Sequence, residues 1–269
     1  MKFGLIIIGD EILSGKRADK HLPKVIELLA ARGLSLAWAR YAGDERERIT
    51  TDLRDALASS DAVFSCGGIG ATPDDHTRQC AAAAAGVSLE LHLEAAALVI
   101  ERMRDVAAEQ GVAFEPERAD NRHRLEMARF PRGVEVIPNP YNKIAGFSMA
   151  SGEGGVFFVP GFPVMAWPMI EWVLDTRYRH LQRAAGSQER SVIVFGAMEA
   201  ALTPLMERIE AAHPGVKVFS LPSVDHVEFG RHIELGVKGE DAAAVAAAYA
   251  ELRSGLLREG ARLGPEMVR

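Results

Sequence analysis

Cysteine is nearly missing from this chain: among 269 residues only Cys66 and Cys80 occur. Two thiols make no disulfide framework, and their spacing is not that of a zinc site. Both are expected as small buried residues. Long hydrophobic runs are missing as well. The N-terminal run Phe3–Ile8 meets Gly9-Asp10-Glu11 at once. That is too short for a secretory h-region or a membrane span, so a cytoplasmic protein without membrane contact is expected. Positive charge is in deficit: 31 Lys and Arg face 37 Asp and Glu, a formal net charge of −6. Nucleic-acid binding, which needs clustered basic side chains, is therefore not expected. The fingerprints G-x-x-x-x-G-K-[ST] and G-x-G-x-x-G do not occur, so neither a P-loop nor a dinucleotide-binding motif is supported. A nucleophile elbow is lacking too, so no Ser-His-Asp chemistry can be argued. No internal repeat is visible.

What is there reads as an α/β protein. The chain is 48% hydrophobic and 25% charged, ordinary for a soluble globular protein. Phe3–Ile8 is short, apolar and β-branched, which favours a strand buried on both faces of a parallel sheet. Helices are expected over 20–32, 45–59 and 77–85, and strands over 34–41 and 62–66. This βαβαβα order argues for an open sheet with right-handed crossovers. The middle is more helical, over 93–110, 120–129 and 167–179, with strands at 133–137, 146–150 and 156–159. Residues 182–189 are small and polar and read as a linker. After them a βαββα pattern (190–195, 201–212, 216–221, 232–237, 241–258) suggests a small α+β domain of ferredoxin-like type. Residues 1–181 thus form an α/β domain, 189–260 the small domain, and 261–269 a frayed tail.

Chemistry concentrates at residues 65–77, Ser-Cys-Gly-Gly-Ile-Gly-Ala-Thr-Pro-Asp-Asp-His-Thr. Gly67, Gly68 and Gly70 follow a buried strand, where glycine permits close backbone approach and positive φ. Asp74 and Asp75 are expected to open the next helix, whose N-terminus suits phosphate. Their carboxylates suit a divalent cation bridging phosphate and protein. A plainer account also fits: Thr72 as N-cap, Pro73 at the first helical position and Asp75 as capping-box partner. It does not explain the three glycines. The stretch 9–15, Gly-Asp-Glu-Ile-Leu-Ser-Gly, places Asp10 and Glu11 after a strand, either in a ligand loop or simply in water. Both acidic loops should share the carboxyl edge of the sheet, where ligands of such folds bind. Pro160-Gly161-Phe162-Pro163 is a rigid turn that either lines a pocket or redirects the chain. Residues 44–48 interleave acid and base and read as a solvated helix face. His226 and His232 lack a third metal ligand at a recognised spacing.

Taken in order, GDEILSG at 9–15, GGIGATPDDHT at 67–77, the Asn121-Arg122 helix, IPNPYNKIAGF at 137–147 and PGFP at 160–163 resemble the molybdopterin-binding domain family. Within it the likeness is to the N-terminal domain of the competence/damage-inducible protein A group. The resemblance spans about residues 3–180. It implies a three-layer α/β/α fold with a mostly parallel sheet, a site at the strand ends, and a homo-oligomer, dimer or trimer. It also implies a pterin or nucleotide ligand, molybdopterin included, and a divalent ion such as Mg²⁺. Carried onto this chain, Gly9, Asp10, Gly67, Gly68, Gly70 and Thr72 would hold substrate. Asp74 and Asp75 would hold the metal and, with Glu11, act in catalysis. Pro160, Gly161 and Pro163 would shape the pterin or sugar side, and Asn121 would either support the site from behind or contact ribose. Two departures stand out: an Asn-rich segment of the group is here Lys16-Arg17-Ala18-Asp19-Lys20-His21, and Phe162 replaces a proline. The amidase domain of full-length relatives has no counterpart in these residues, so amidase activity is not expected of them.

Three readings compete on this basis. The first is an enzyme acting at a nucleotide pyrophosphate or adenylyl phosphate, either an ADP-ribose-type pyrophosphatase or a molybdopterin adenylyltransferase. The second is a module of molybdenum-cofactor synthesis that binds without turnover. An NAD-type oxidoreductase is disfavoured by the missing fingerprint.

Overall fold

The structure, a computed structural model, describes residues 1–182 and 188–269. The chain divides into two units, Met1–Gln182 and Arg183–Arg269, and the expected linker lies mostly outside the described residues. In the first unit the elements run β1 (Phe3–Ile8), α1 (Asp10–Leu13), α2 (His21–Ala30), β2 (Leu36–Ala42), α3 (Arg46–Ala58), β3 (Ala62–Cys66) and α4 (Thr77–Ala85). There follow β4 (Leu89–Leu91), α5 (Leu93–Glu109), α6 (Ala119–Leu125), β5 (Arg129–Pro131), β6 (Glu135–Ile137), β7 (Gly146–Ser151), β8 (Gly154–Val159) and α7 (Pro163–Arg177).

The main sheet has the order β2-β1-β3-β8-β7-β6. Strands β2, β1, β3 and β8 are parallel, and β7 and β6 add on antiparallel. β1 sits between two parallel neighbours, and every residue of it is buried. Successive strand side chains point to opposite faces. Leu5 and Ile7 thus meet Val25 and Leu29 of α2 and Ile170 and Leu174 of α7 on one face. Ile6 and Ile8 meet Ile49 and Leu53 of α3, Ala81 of α4 and Val99 of α5 on the other. This is the expected three-layer α/β/α arrangement with a mostly parallel sheet.

Several local expectations are corrected. The stretch 9–15 is not all loop: Asp10–Leu13 makes one helical turn. α4 opens at Thr77 rather than around Asp74 and Asp75. The helix expected over 120–129 ends at Leu125, continues as a 3-10 turn and gives way to β5, which pairs with β4 in a small ribbon. α7 begins at Pro163 with Phe162 as its cap, so the final proline of the turn is the first helical residue, where its missing N–H costs nothing.

The second unit runs β9 (Gln188–Phe195), α8 (Glu199–Ala212), β10 (Val216–His226), β11 (Gly230–Gly239), α9 (Ala242–Arg258) and β12 (Arg262–Val268). Its antiparallel order β10-β11-β9-β12 is ferredoxin-like, with Val192, Leu205, Leu235 and Leu252 fully buried in the core. Residues 261–269 are not a frayed tail: β12 pairs with β9 and completes a βαββαβ unit. No described helix is long and apolar enough to cross a membrane.

Candidate functional site

Parallel pairing aligns the carboxyl ends of β1, β2, β3 and β8 on one edge, and the loops leaving them converge. The amide of Gly9 donates to Ala42 O at 3.0 Å, and that of Gly67 to Val159 O at 3.0 Å. Asp10 and Asp44 lock the first two loops reciprocally: Asp10 N donates to Asp44 Oδ2 at 3.0 Å and Asp44 N to Asp10 Oδ1 at 3.2 Å. The turn and the glycine loop are neighbours: a Cβ at Gly161 would reach van der Waals contact with the Gly67 Cα at 3.4 Å.

The glycine loop is built from beneath. Gly67 has φ +108° and Gly68 φ +69°, a region that side chains disfavour. Thr77 is fully buried and ties down both residues, its hydroxyl donating to Gly67 O at 3.0 Å and its amide to Gly68 O at 2.9 Å. Arg78, also buried, donates to Ile69 O at 2.5 Å and Gly70 O at 2.7 Å. With their carbonyls held inward, the amides of Gly68, Ile69, Gly70 and Ala71 find no protein acceptor among the described residues. A row of unpaired amides is a receptor for an anion. Thr72 to Asp75 then forms a turn: Asp75 Oδ2 accepts from the Thr72 amide at 2.8 Å and from its hydroxyl, while the Asp75 amide donates to Thr72 O at 3.0 Å. Only half of a capping box is present: the Asp75 carboxylate reaches the Thr72 amide, but the Asp75 amide goes to the Thr72 carbonyl and not to its hydroxyl, so the segment closes a turn instead of opening a helix.

The loops enclose a cleft of about 650 Å³. Gly9, Glu11, Gly67, Gly68, Gly70, Thr72, Asp74, Asp75, Pro160 and Gly161 all line it. Three candidates fall elsewhere. Asp10 is spent on the bond to Asp44. Pro163 lines a neighbouring cavity of about 320 Å³. Asn121 is buried in α6, donating to Glu115 O at 2.7 Å and accepting from Arg124 at 2.8 Å, so its side chain serves the helix and not the cleft. Arg17, Asp44 and Asn142 also line the cleft and were not named as site residues from the sequence, and Phe162 joins them, as a pocket-lining role for its turn allowed. Asp44 had a usable signal, since it follows a strand end just as Asp10 does. Instead of joining a solvated helix face, it looks into the cleft.

Burial, aided by the neighbouring charges of Asp10, Glu11 and Asp74, raises the Asp44 carboxyl above its ordinary value. Asp74 is exposed, the Thr72 hydroxyl being given to Asp75 instead. Arg17 lies 3.6 Å from Glu11 and stacks over the Phe162 ring at 5.6 Å. Among the described residues no three His, Cys, Asp or Glu side chains gather as a ready-made metal site. The donors are nonetheless hard carboxylate oxygens of the kind Mg²⁺ prefers. That ion is commonly held by one or two carboxylates plus substrate phosphates, so the residues fit an ion that arrives with its ligand.

Residues 4–180 match a family model described as a probable molybdopterin binding domain. The chain belongs to the molybdopterin-binding domain family. It is 32% identical over 262 residues to a CinA-like protein of Anaeromyxobacter dehalogenans, covering 96% of this chain and 60% of the relative. A CinA-like protein of Citrifermentans bemidjiense is 35% identical over 208 residues, 77% of this chain and 47% of the relative. The chain thus spans about three fifths or less of the length of these relatives. Its structure resembles that of the protein CinA, of unknown function, from Thermoplasma acidophilum, with TM-score 0.54 and 26% identity over 65% of this chain and 96% of that one. In this molybdopterin-binding domain, segments 9–15, 67–77, 137–147 and 160–163 each supply the cleft with a lining residue, and the Asn121-Arg122 segment does not.

Proposed function

We propose that the cleft binds the phosphates of a nucleotide or pterin ligand and that the protein acts, with a divalent ion, at a pyrophosphate or adenylyl phosphorus. One observation carries this reading: Gly68, Ile69, Gly70 and Ala71, whose amides have no protein acceptor among the described residues, line the same cleft as Glu11, Asp44, Asp74 and Asp75. The amides bind phosphate oxygens, and the backbone, fixed by Thr77 and Arg78, needs no reorganisation as charge builds up. Asp74 and Asp75, with Asp44 opposite, would hold the ion, which supplies charge neutralisation at the phosphates. Glu11, half-buried in the same cleft, would take the proton of an attacking water as the bond to the leaving phosphate breaks. Arg17 beside it offsets negative charge. The family description, a probable molybdopterin binding domain, supports a pterin ligand; an adenine nucleotide is the alternative that the resemblance to the competence/damage-inducible group implies. When pterin and ATP are both bound, the same cleft would serve adenylyl transfer, with pyrophosphate leaving.

The dispersed carboxylates favour a second reading, a module that holds such a ligand without turnover. Incubation with ADP-ribose, FAD, NAD or ATP plus molybdopterin, each with Mg²⁺, Mn²⁺ or Co²⁺, and product analysis decides between the two. Consumption of one substrate, lost in the double variant Asp74→Asn/Asp75→Asn while ligand binding survives, supports the enzyme. Binding with no consumption under any condition overturns it in favour of the module.

A further inference from the structure

The Asn121-Arg122 segment stays out of the cleft, yet its helix touches the glycine loop at one point. His123 Nε2 lies 2.6 Å from Ala71 O, across 52 positions of the chain. A carbonyl oxygen only accepts, so Nε2 carries the proton and donates. α6 is anchored for this contact. Asn121, 4% exposed, donates to Glu115 O at 2.7 Å and accepts from Arg124 at 2.8 Å, and Arg124 lies 3.1 Å from Asp120. His123, two residues after Asn121, is exposed and turns its ring to the loop.

What matters is which peptide unit this bond holds. A peptide unit is planar and carries the carbonyl of one residue with the amide of the next. The carbonyls of Gly67, Gly68, Ile69 and Gly70 all accept from Thr77 or Arg78. The amides of the same units, those of Gly68, Ile69, Gly70 and Ala71, are the ones without a protein acceptor among the described residues. Each unit is thus fixed by its oxygen and open at its nitrogen. The next unit, Ala71–Thr72, is gripped at both ends. Its amide donates to Asp75 Oδ2 at 2.8 Å, and its oxygen accepts from His123. It joins the row of open amides to a carboxylate of the cleft. Thr77 and Arg78 open α4 just after the loop, whereas His123 reaches it from α6.

We infer that His123 is a positioning residue of the cleft: by donating to the Ala71 oxygen it fixes the Ala71–Thr72 peptide and, through the Thr72 amide, sets Asp75. Without it the peptide is held at its amide alone. Its plane can then turn and carry the Ala71 oxygen, an acceptor, towards the phosphate that the open amides attract; Ala71 and Thr72 both line the cleft. Donors already in place need no rearrangement when the ligand arrives, which strengthens binding. This role rests on the proposed function only in that phosphate is what those amides bind. It gives the Asn121-Arg122 segment a task at the site without any contact to the ligand.

The test compares the whole chain as parent, His123→Ala and His123→Gln, the last keeping an uncharged N–H donor of similar reach. Without ligand, hydrogen exchange of the Thr72 amide and the ¹³C shift of the Ala71 carbonyl report the bond itself. With Mg²⁺ and inorganic pyrophosphate, calorimetry reports its use. In His123→Ala the Thr72 amide should exchange about two- to tenfold faster, and pyrophosphate should bind about two- to tenfold more weakly, the range for one lost hydrogen bond. His123→Gln should restore both, which a role for imidazole charge would not. An unmoved Thr72 amide and Ala71 carbonyl in His123→Ala, or a change that His123→Gln leaves unrestored, overturns the assignment. A loosened loop with pyrophosphate bound equally by parent and His123→Ala overturns it too, and leaves the phosphate site standing. A parent that binds no pyrophosphate overturns the phosphate reading, and the positioning role with it. Should His123→Ala fail to fold, the ¹⁵N spectrum of the parent's histidine rings decides, with His123 assigned by its loss in His123→Gln: Nε2 should carry the proton, and a ring protonated at Nδ1 alone overturns the bond.

Discussion

Replacing Gly68 by alanine separates two penalties that meet at one Cα. The first is conformational. Gly68 has φ +69°, and an alanine there costs about 1–2 kcal/mol. The second is steric. The new Cβ would stand closer than 3.0 Å to Thr77 Oγ1, and Thr77 is fully buried with that oxygen bonded to Gly67 O at 3.0 Å. The threonine cannot turn away without leaving a buried hydrogen bond unmade, which costs about 1–3 kcal/mol. Gly86 supplies the reference. Its φ is +67°, and a Cβ there meets nothing within 4 Å, so Gly86→Ala carries the first penalty alone. Both substitutions also restrict the unfolded chain by the same amount, about 0.4–1 kcal/mol, and this cancels in the comparison. Gly68→Ala should therefore be less stable than Gly86→Ala by about 1–3 kcal/mol. Urea unfolding followed by tryptophan fluorescence reads this directly, because Trp38, Trp167 and Trp172 all lie in the unit Met1–Gln182. Equal midpoints at equal slope, or a Gly86→Ala variant that is the weaker of the two, would refute the account of how Thr77 shapes the loop.

Four further outcomes follow from the same geometry. Arg78→Met keeps much of the side-chain volume but strands Ile69 O and Gly70 O, so it should destabilise the same fluorescence transition by about 3 kcal/mol. Asp44 has a raised folded-state pKa. Its favourable contribution is present below the ordinary carboxylate value and is lost as pH rises through the raised value. The melting temperature of Asp44→Asn relative to the parent should accordingly increase across that window, and a flat difference would contradict the sign. Removal of residues 261–269 exposes the β9 edge that β12 covers, and limited proteolysis should then cut within residues 188–260 where the parent resists. Mg²⁺ titrated by calorimetry should bind more tightly in the presence of ADP-ribose than alone, and Asp44→Asn should lessen that gain; an Mg²⁺ affinity indifferent to the nucleotide would count against a shared site.

How much of this was legible in the sequence depends on how far each residue's role is set by its neighbours along the chain. β1 was plain because burial on both faces leaves an uninterrupted apolar run, and Ala62–Cys66 and Thr77–Ala85 match their expected limits. β4 and β5, three residues each, are too short to carry a period. β12 reads as a tail because it is an edge strand with an interrupted register, Gly264 and Pro265 lying between its paired residues Leu263 and Glu266. Thr72, Pro73 and Asp75 carry the sequence pattern of a capping box, and Asp75 does reach back to the Thr72 amide, so local sequence could not tell turn from helix. Asn121 sits in a polar helix with nothing local to mark its role, and its side chain is bonded to Glu115 O and Arg124. Asp44 was hidden by the charged residues that follow it, whereas its bond to Asp10 crosses 34 positions.

The walls of the cleft make opposite electrostatic demands, and this narrows what it can hold. The glycine-loop amides, held open by carbonyls bonded to Thr77 and Arg78, attract an anion. Glu11, Asp44, Asp74 and Asp75 surround the same space, and the charges of Asp10, Glu11 and Asp74 already help burial to raise Asp44. A phosphate brought to the amides alone would add to that repulsion. A cation alone would find carboxylates spread around the cleft, with no gathered set of three among the described residues. Only an anion and a cation together satisfy both walls. The anion completes the cation's oxygen shell, and the cation screens the anion from the carboxylates. Such mutual help is a coupling free energy, and it works equally in both directions. On the proposed function, the cleft would therefore take neither a bare metal nor a bare phosphate but a metal–phosphate pair.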